Sequence, residues 1–282
     1  MSAEAIGQAV FVAFDTETTG LIAGVDRIVE VAAVVFRAGT VLDEHEQLID
    51  PGVPIPAVVS AINNISDAMV RGMPSIGQGL PGLLAMLGKG TPVAHNAGFD
   101  AGFLSAAIQA SGLAAPEAPI LDTRALARAA FPGRQSYSLD NLARDLRPAP
   151  LAGAGERESL AHRALADART CAALLEACTR ALAPRGCDAV EDLVRASGPR
   201  LDLAANAPRQ PMFAAMLDEA RRTEAVVEIE YVSASGERTV REIRPLAFRL
   251  QGGSPVVTAF CRLRNQDRTF RLDAIRDVRR LA

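Results

Sequence analysis

The sequence predicts an α/β protein in which a mixed sheet is covered by helices and is followed by a smaller, β-rich part. Short apolar runs come first along the chain, and alternating strand and helix patterns follow them. That order is typical of a mixed sheet flanked by helices. Residues 211–282 instead carry one helical pattern and then several short alternating runs. Such runs are typical of a small barrel or an open sheet.

Hydrophobic periodicity and the positions of glycine and proline define the elements of the first part. Strands are expected at 10–14, 27–36, 40–51 and 91–95. Helices are expected at 75–87 and 99–113, and ILDTRALARAAF (120–131) begins as a strand and continues as a helix. A long helix is expected within 159–184, where Pro184 ends it, and a short one at 188–196.

The second part is predicted to begin with the helix MFAAMLDEARR and to continue as a small β-barrel. Its strand candidates are VVEIEYV, TVREIRPLAFRL, PVVTAFCRLR and RTFRLDAI. Residues 184–210, rich in Pro, Gly, Asn and Asp, are expected to be a linker. The domains are therefore predicted as 1–183 and 211–282. Their net charges of −6 and +3 suggest different tasks.

Composition excludes several classes of protein. Of the 282 residues, 49% are hydrophobic and 22% are charged, which is typical of a globular protein. The sequence has no run of eighteen apolar residues and no basic-then-apolar N-terminus, so neither a membrane span nor a signal peptide is expected. The four cysteines form no CxxC pair. We therefore expect reduced thiols in a cytoplasmic protein.

Two carboxylates follow the first apolar run, in the stretch AVFVAFDTETTGL (9–21). Asp15 and Glu17 are two positions apart, and alternate residues of a strand share one face of the sheet. Two like charges held close together repel each other, and each loses its water only at a cost in free energy. The pair is therefore expected to need a positive partner.

Two further acids and a histidine come from later segments. Asp100 ends HNAGFD (95–100), after a short strand and at the start of a helix. His162 and Asp167 belong to HRALAD (162–167), and five helical residues turn by about 500°. His162 is therefore expected on the loop before the helix. Four acids and a histidine at element edges suit a two-metal site for phosphoryl displacement, in which the histidine accepts a proton from water.

DTETTG, HNAGFD and HRALAD, in this order, resemble the motifs of the DEDDh 3′–5′ exonucleases, the relatives of the bacterial DNA polymerase III proofreading subunit. The resemblance covers about residues 8–183. It implies a ribonuclease-H-like fold, two Mg²⁺ or Mn²⁺ ions per site, and release of nucleoside 5′-monophosphates from nucleic-acid 3′ ends. The implied metal ligands are Asp15, Glu17, Asp100 and Asp167. The implied general base is His162.

The resemblance also implies residues that contact the terminal 3′-nucleotide. These are Thr16, Thr18, Leu21, Asn96, Phe99 and His162, with Leu21 as a wedge against the base. Many relatives have a His-Gly-Ile turn at this nucleotide, whereas this chain has Asn63 and Asn64 there. The departure concerns the nucleotide contact and not the metal ligands. DNA is favoured over RNA as the substrate, although no residue indicates a contact to a 2′-hydroxyl.

The second part resembles the WYL domain, a small SH3-like β-barrel of bacterial regulators. The matching stretches are EIEYVSASGERTVREIRPLAF and RTFRLDAIRDVRRL, and Pro255-Val256-Val257 replaces the Trp-Tyr-Leu motif. The resemblance implies that basic residues sense nucleic acid or a small anionic ligand. The candidates are Arg262, Arg268 and Arg271, for which solvated strand faces are the alternative.

Two alternatives to a free-standing nuclease remain open. The chain could be a regulatory or docking protein that binds nucleic acid or a polymerase with little catalysis, but the complete set of four acids and a histidine argues against this. Residues 211–282 could instead form a homodimer. The expected partners are single-stranded DNA or RNA 3′ ends and, for a bound enzyme, a DNA polymerase subunit.

Overall fold

The computed structural model describes residues 4–154, 162–204 and 207–281. The chain divides into two compact units, one of Met1–Gly20 with Arg27–Pro208 and one of Leu21–Asp26 with Arg209–Ala282. Among the described residues, none of the helices combines the length and the apolar character that a membrane span needs.

The first unit contains a mixed five-stranded sheet, as the sequence predicts. Its strands are β1 (Phe11–Thr18), β2 (Ile28–Arg37), β3 (Thr40–Leu48), β4 (Thr91–Ala94) and β5 (Leu121–Asp122). Their order is β3-β2-β1-β4-β5. β2 pairs antiparallel with both β1 and β3, whereas β4 runs parallel to β1 and β5 runs parallel to β4. β1 therefore lies at the centre of the sheet.

Helices flank this sheet. They are α1 (Ala57–Asn63), α2 (Asp67–Val70), α3 (Ile76–Leu87), α4 (Gly98–Ser111), α5 (Thr123–Ala130), α6 (Leu139–Leu146), α7 (Ala164–Leu182) and α8 (Val190–Ala196). The predicted helices at 75–87 and 99–113 match α3 and α4. The sequence analysis missed α1 and α2, which are short and have no side-chain hydrogen bond at the N-cap. The expected start of α7 near residue 159 lies outside the described residues.

The core of the first unit forms where α7 packs on β1 and β2. Cys171, Leu175 and Cys178 of α7 are buried in the same cluster as Phe11 and Phe36. We expected residues 184–210 to be a linker. Residues 184–208 of this stretch group with the first unit and include α8. The backbone there is hydrogen-bonded, since the Ile120 N–H donates to the Leu201 carbonyl at 2.7 Å.

The second unit contains one helix and a five-stranded antiparallel sheet. The elements are α9 (Gln210–Arg222), β6 (Val227–Val232), β7 (Arg238–Gln251), β8 (Ser254–Cys261), β9 (Gln266–Arg271) and β10 (Ile275–Arg280). The strand order is β10-β6-β7-β8-β9. The run RTFRLDAI, predicted as one strand, is divided in the structure. Its first residues complete β9, the next form a 3₁₀ turn, Leu272–Ala274, and β10 begins after this turn.

The expectation of a closed SH3-like barrel in the second unit is wrong. Within the described residues β9 and β10 are the two edges of an open sheet. The reason is that α9 covers one face of the sheet. Phe213 and Leu217 of α9 are buried in one cluster with Ile229, Val257 and their neighbours. A helix that buries the apolar face removes the need for the sheet to close on itself.

Candidate active site

The two carboxylates of the first motif lie on β1 itself. The strand continues through both residues, so their side chains point to the same face of the sheet. In the β1–β2 register Asp15 lies opposite Ala32 and Glu17 lies opposite Glu30. The pairing shifts between Glu17 and Thr18, where the strand ends. The central strand of the sheet therefore delivers both acids at its carboxyl end.

Asp100 lies in the first turn of α4 and is only 2% exposed. Two groups of Thr16 hydrogen-bond its Oδ1 atom. The Thr16 N–H donates at 3.0 Å and the Thr16 hydroxyl donates at 2.8 Å. Thr16, which we expected to contact substrate, is itself buried and uses its hydroxyl to orient this acid. β1 and α4 are thus joined at the carboxylate.

Asp167 lies in the first turn of α7 and completes a cluster of acids. One carboxylate oxygen from each of Asp15, Glu17 and Asp167 lies within 4.8 Å of the others. Oxygen ligands this close together are the donor set that a hard divalent cation takes. Asp15, Glu17 and Asp167, which the motifs predicted from distant parts of the sequence, therefore converge in the folded chain, whereas Asp100 lies outside this group of mutually close oxygens.

His162 precedes α7, as the sequence predicts, with Arg163 at the N-cap. Its backbone has a φ of +61°, in the left-handed region. The backbone of His162 opposes the rise in the pKa of Asp167. The imidazole is 45% exposed, and its Nε2 lies 4.0 Å from Asp140 Oδ2. Asp140 lies in the first turn of α6, and its place beside the histidine comes from the tertiary structure.

Burial raises the pKa values of all four acids, and repulsion by nearby carboxylates adds to this effect. The pKa of Asp15 is raised well above its usual range by burial and then by Asp100 and Asp167. Burial, with a smaller contribution from Asp167, raises the pKa of Glu17 to about 8. Burial also raises the pKa of Asp100 to about 7, although Thr16 opposes this, and raises that of Asp167 to about 6. A divalent cation that displaces these protons would relieve the repulsion.

The other residues expected at the substrate have varied surroundings. Thr18 donates its hydroxyl to the Gly20 carbonyl at 2.5 Å. Leu21 is 58% exposed and belongs to the segment that groups with the second unit. The Phe99 ring packs on Phe103 with centroids 4.9 Å apart. Both Thr18 and Phe99 therefore have local partners within the chain.

Asn96 is the most constrained of the residues expected at the substrate. It is exposed, with a φ of +64°. Its N–H donates to Asp122 Oδ1 at 3.0 Å, and its Oδ1 accepts from the Arg124 guanidinium at 2.9 Å. The neighbouring His95 has a structural role. Its ring nitrogens lie 2.9 Å from the Thr123 hydroxyl and 2.9 Å from a backbone carbonyl.

The sequence analysis missed one buried ion pair beside the acids. Glu30 is fully buried on β2 and pairs with Arg163. A usable signal was present, because Glu30 is the single acid within the apolar run RIVEVAAVVF. An isolated charge in a buried strand indicates a dedicated partner elsewhere in the chain.

The three arginines of the second unit do not share one face of the sheet. On β9, Arg271 is opposite Val256 and Arg268 is opposite Ala259, so their positions differ by an odd number and point to opposite faces. Arg262 donates to Glu242 at 3.1 Å, and Arg271 pairs with Asp273.

Comparison with known proteins identifies the family. Residues 12–175, more than half of the chain, match the RNase_T family model, described as Exonuclease. The chain belongs to this exonuclease family. Residues 213–280 of the exonuclease match the WYL domain model.

Curated relatives are DNA polymerase III proteins. Subunit epsilon of Treponema pallidum is 41% identical over 164 residues, which is 57% of this exonuclease and 72% of the relative. The PolC-type polymerase of Halalkalibacterium halodurans is 39% identical over 132 residues, which is 47% of this chain and 9% of the relative. The exonuclease thus spans about a tenth of the length of the PolC-type polymerases that it matches.

Solved exonucleases share the fold. The structure of exonuclease X in complex with 5′ overhanging duplex DNA is 29% identical, with a TM-score of 0.52, covering 67% of this exonuclease and 99% of that chain. A structure of exonuclease I is 13% identical, with a TM-score of 0.51, covering 97% of this chain and 65% of that one. At that identity the likeness to exonuclease I shows the fold alone.

Proposed function

We propose that this exonuclease hydrolyses phosphodiester bonds at the 3′ ends of nucleic acid, with DNA preferred over RNA, and releases nucleoside 5′-monophosphates. The observation that carries the proposal is the cluster of Asp15, Glu17 and Asp167 oxygens within 4.8 Å of one another. Because the chain belongs to the exonuclease family, we interpret this cluster as the site of hydrolysis. Four neighbouring acids with raised pKa values contribute little to the stability of the fold, but they are well suited to bind a cation.

We propose that the four acids hold two divalent cations. Asp15, Glu17, Asp100 and Asp167 would hold Mg²⁺ or Mn²⁺, because carboxylate oxygens are the ligands that these hard ions prefer. When bound, the ions neutralise the charge of the phosphodiester and stabilise its attacking and leaving oxygens. Within the protein, Thr16 would serve this site by holding the Asp100 carboxylate in place.

His162 is proposed as the general base. Its imidazole is exposed enough to meet a water molecule, and an imidazole is the side chain that most often serves as a general base. Asp140, 4.0 Å from Nε2, would help to orient the ring.

The terminal nucleotide would be held by groups beside the acids. Asn96 already accepts a hydrogen bond from Arg124 through its Oδ1, so its NH₂ group is oriented and can donate to the substrate. The Phe99 ring and the exposed Leu21 side chain would contact the sugar and the base. Thr18 would contribute through the backbone at the end of β1.

The preference for DNA is supported by the relatives. The structure of exonuclease X holds duplex DNA, and the curated relatives are DNA polymerase III proteins. A DNA polymerase subunit is accordingly the protein partner that we propose to test first.

Residues 1–183 are proposed as the catalytic domain and residues 211–282 as an accessory module, joined through 184–210. The module would bind nucleic acid or an anionic ligand. The WYL match and the net charge of +3 support this role. Arg268 is the leading contact, because no acid lies within ion-pair distance of it among the described residues, whereas Arg262 and Arg271 already have acidic partners.

The test uses matched 5′-labelled DNA and RNA strands, single and duplex, with Mg²⁺, Mn²⁺ or EDTA. We expect stepwise shortening from the 3′ end, mononucleotide products that carry a 5′-phosphate, and no reaction in EDTA. Asp15→Asn should reduce the activity by roughly a thousandfold, whereas Asp43→Asn, an exposed acid paired with Lys89, should retain it. A wild-type rate in EDTA or in Asp15→Asn would contradict the proposed site. No turnover of any strand by the wild type would favour a docking role.

A further inference from the structure

A buried acid lies next to the proposed catalytic acids without joining them. Glu30 is 0% exposed near the start of β2 and lies opposite Glu17 in the sheet register. Its neighbours on β2 are buried apolar residues. A carboxylate in such surroundings persists only with a dedicated set of hydrogen-bond donors.

Those donors come from the two residues that directly follow His162. The Arg163 Nε lies 3.0 Å from both oxygens of Glu30, and a terminal nitrogen of the same guanidinium bonds Oε1. The Ala164 N–H donates to Oε2 at 2.9 Å. Glu30 therefore accepts both from the side chain of the α7 N-cap residue and from the first backbone N–H of the helix.

Glu30 is occupied by these bonds and is not available as a further cation ligand. Each of its oxygens already accepts two hydrogen bonds. Arg163 also keeps its positive charge beside the site, with the Glu46 carboxylate 3.4 Å away as a second partner. The pair therefore supports the start of α7 and does not extend the acid cluster.

The residue held next to this anchor has an unusual backbone. His162 has a φ of +61°, a region that residues other than glycine seldom occupy, whereas Arg163 returns to an extended φ of −121°. Such a reversal persists where the neighbouring residues are fixed. Arg163 and Ala164 are fixed on Glu30. The direction of the imidazole therefore depends on this anchor.

We infer that Glu30 is a positioning residue, which acts through Arg163 and the Ala164 N–H to hold His162 in its place beside Asp140 and Asp167. The inference rests on the proposed function of His162 as general base. A base must lie within hydrogen-bond reach of the water that it deprotonates, so a small displacement lowers the rate without removing the substrate site.

A double-mutant cycle on the full chain tests the inference. Glu30→Gln keeps the shape of the side chain but loses the charge and one acceptor. We expect kcat on a 5′-labelled DNA strand with Mn²⁺ to fall by about 10- to 100-fold, as for other residues that support a catalytic group, with KM nearly unchanged. In a His162→Ala background the same substitution should have little further effect. Multiplied losses in the double variant would overturn the inference.

Histidine NMR gives a readout that does not depend on activity. The chain has three histidines, so each imidazole signal can be assigned by substitution. Glu30→Gln should shift the His162 signal and leave those of His45 and His95 in place. Unmoved His162 signals would overturn the inference even if the wild type proved to lack nuclease activity, which separates this test from that of the proposed function.

Two further variants control for general damage to the fold. Glu44→Gln breaks a second, half-buried pair, which joins β3 to the same helix: Arg169 binds both oxygens of Glu44 at 2.6–2.7 Å, but Arg169 is not adjacent to His162. It should retain kcat and the His162 signal. Arg163→Lys keeps the positive charge but loses the two-point contact of the guanidinium with Glu30. This variant replaces Glu30→Gln in the test if Glu30→Gln does not fold. A kcat and a His162 signal identical to those of the wild type in Arg163→Lys would also count against the inference.

Discussion

Glu17→Gln tests whether the clustered acids store unfavourable charge in the absence of a cation. Burial, assisted by the neighbouring Asp167 and Glu30, raises the pKa of Glu17 from 4.5 to about 8. The substitution keeps the shape of the side chain and removes its titration. We therefore expect the stability difference between variant and wild type to depend on pH in a direction that the pKa determines.

The sign follows from proton binding. Below pH 4.5 both the folded and the unfolded state hold the Glu17 proton, so the shift has no effect on stability. Between pH 4.5 and about 8 the unfolded state has lost this proton and the folded state retains it, so the stability of the metal-free wild type falls as the pH rises. The glutamine variant lacks this loss. Its advantage over the wild type should therefore grow with pH.

The magnitude follows from the size of the shift. A rise from 4.5 to about 8 corresponds to on the order of 5 kcal/mol at about 1.4 kcal/mol per pKa unit. Glu17 keeps some contact with solvent, so we expect roughly half of this, about 2–3 kcal/mol, at pH 8 and above. Saturating Mn²⁺ should reverse the order, because the wild type then gains the binding free energy of the ion.

The assay is urea unfolding in EDTA at several pH values between 5 and 8.5. The chain has no tryptophan and two tyrosines, so a Tyr231→Phe background leaves Tyr137 as a fluorescent reporter of the first unit. Glu117→Gln, an exposed loop position of the same unit, is the matched control. A difference between Glu17→Gln and wild type that does not change with pH would refute the electrostatic account of the site.

Three further predictions concern Asp15, one glycine and the cysteines. Asp15→Asn should slow hydrolysis of a 5′-labelled strand by roughly a thousandfold, since the bound cations supply several kcal/mol to the transition state. Gly90→Ala should destabilise the first unit by about 1–3 kcal/mol in thermal unfolding, because the new Cβ would lie 2.3 Å from the Val10 carbonyl oxygen; Gly88→Ala, where the nearest such atom is 3.6 Å away, is the control. Ellman's reagent should label no thiol of the native protein, because all four cysteines are buried and burial raises the pKa of Cys171 well above its usual range.

Local sequence patterns determined most of the first unit and the identity of its acids. The apolar run before Asp15 specifies a buried strand, and the two-residue spacing to Glu17 places both carboxylates on one face of it. The turn angle between His162 and Asp167 correctly separates a loop residue from a helical one. These features depend on backbone periodicity, which a sequence displays directly.

Only the tertiary structure decided how the acids are supported and how the second unit ends. Thr16 on Asp100, Asp140 beside His162 and Arg163 on Glu30 join residues that are 84, 22 and 133 positions apart, respectively. No local pattern encodes such pairs, because they depend on where helices and strands meet. The same holds for the second unit, where alternation allowed either a barrel or an open sheet. The packing of α9 on one face decided between them.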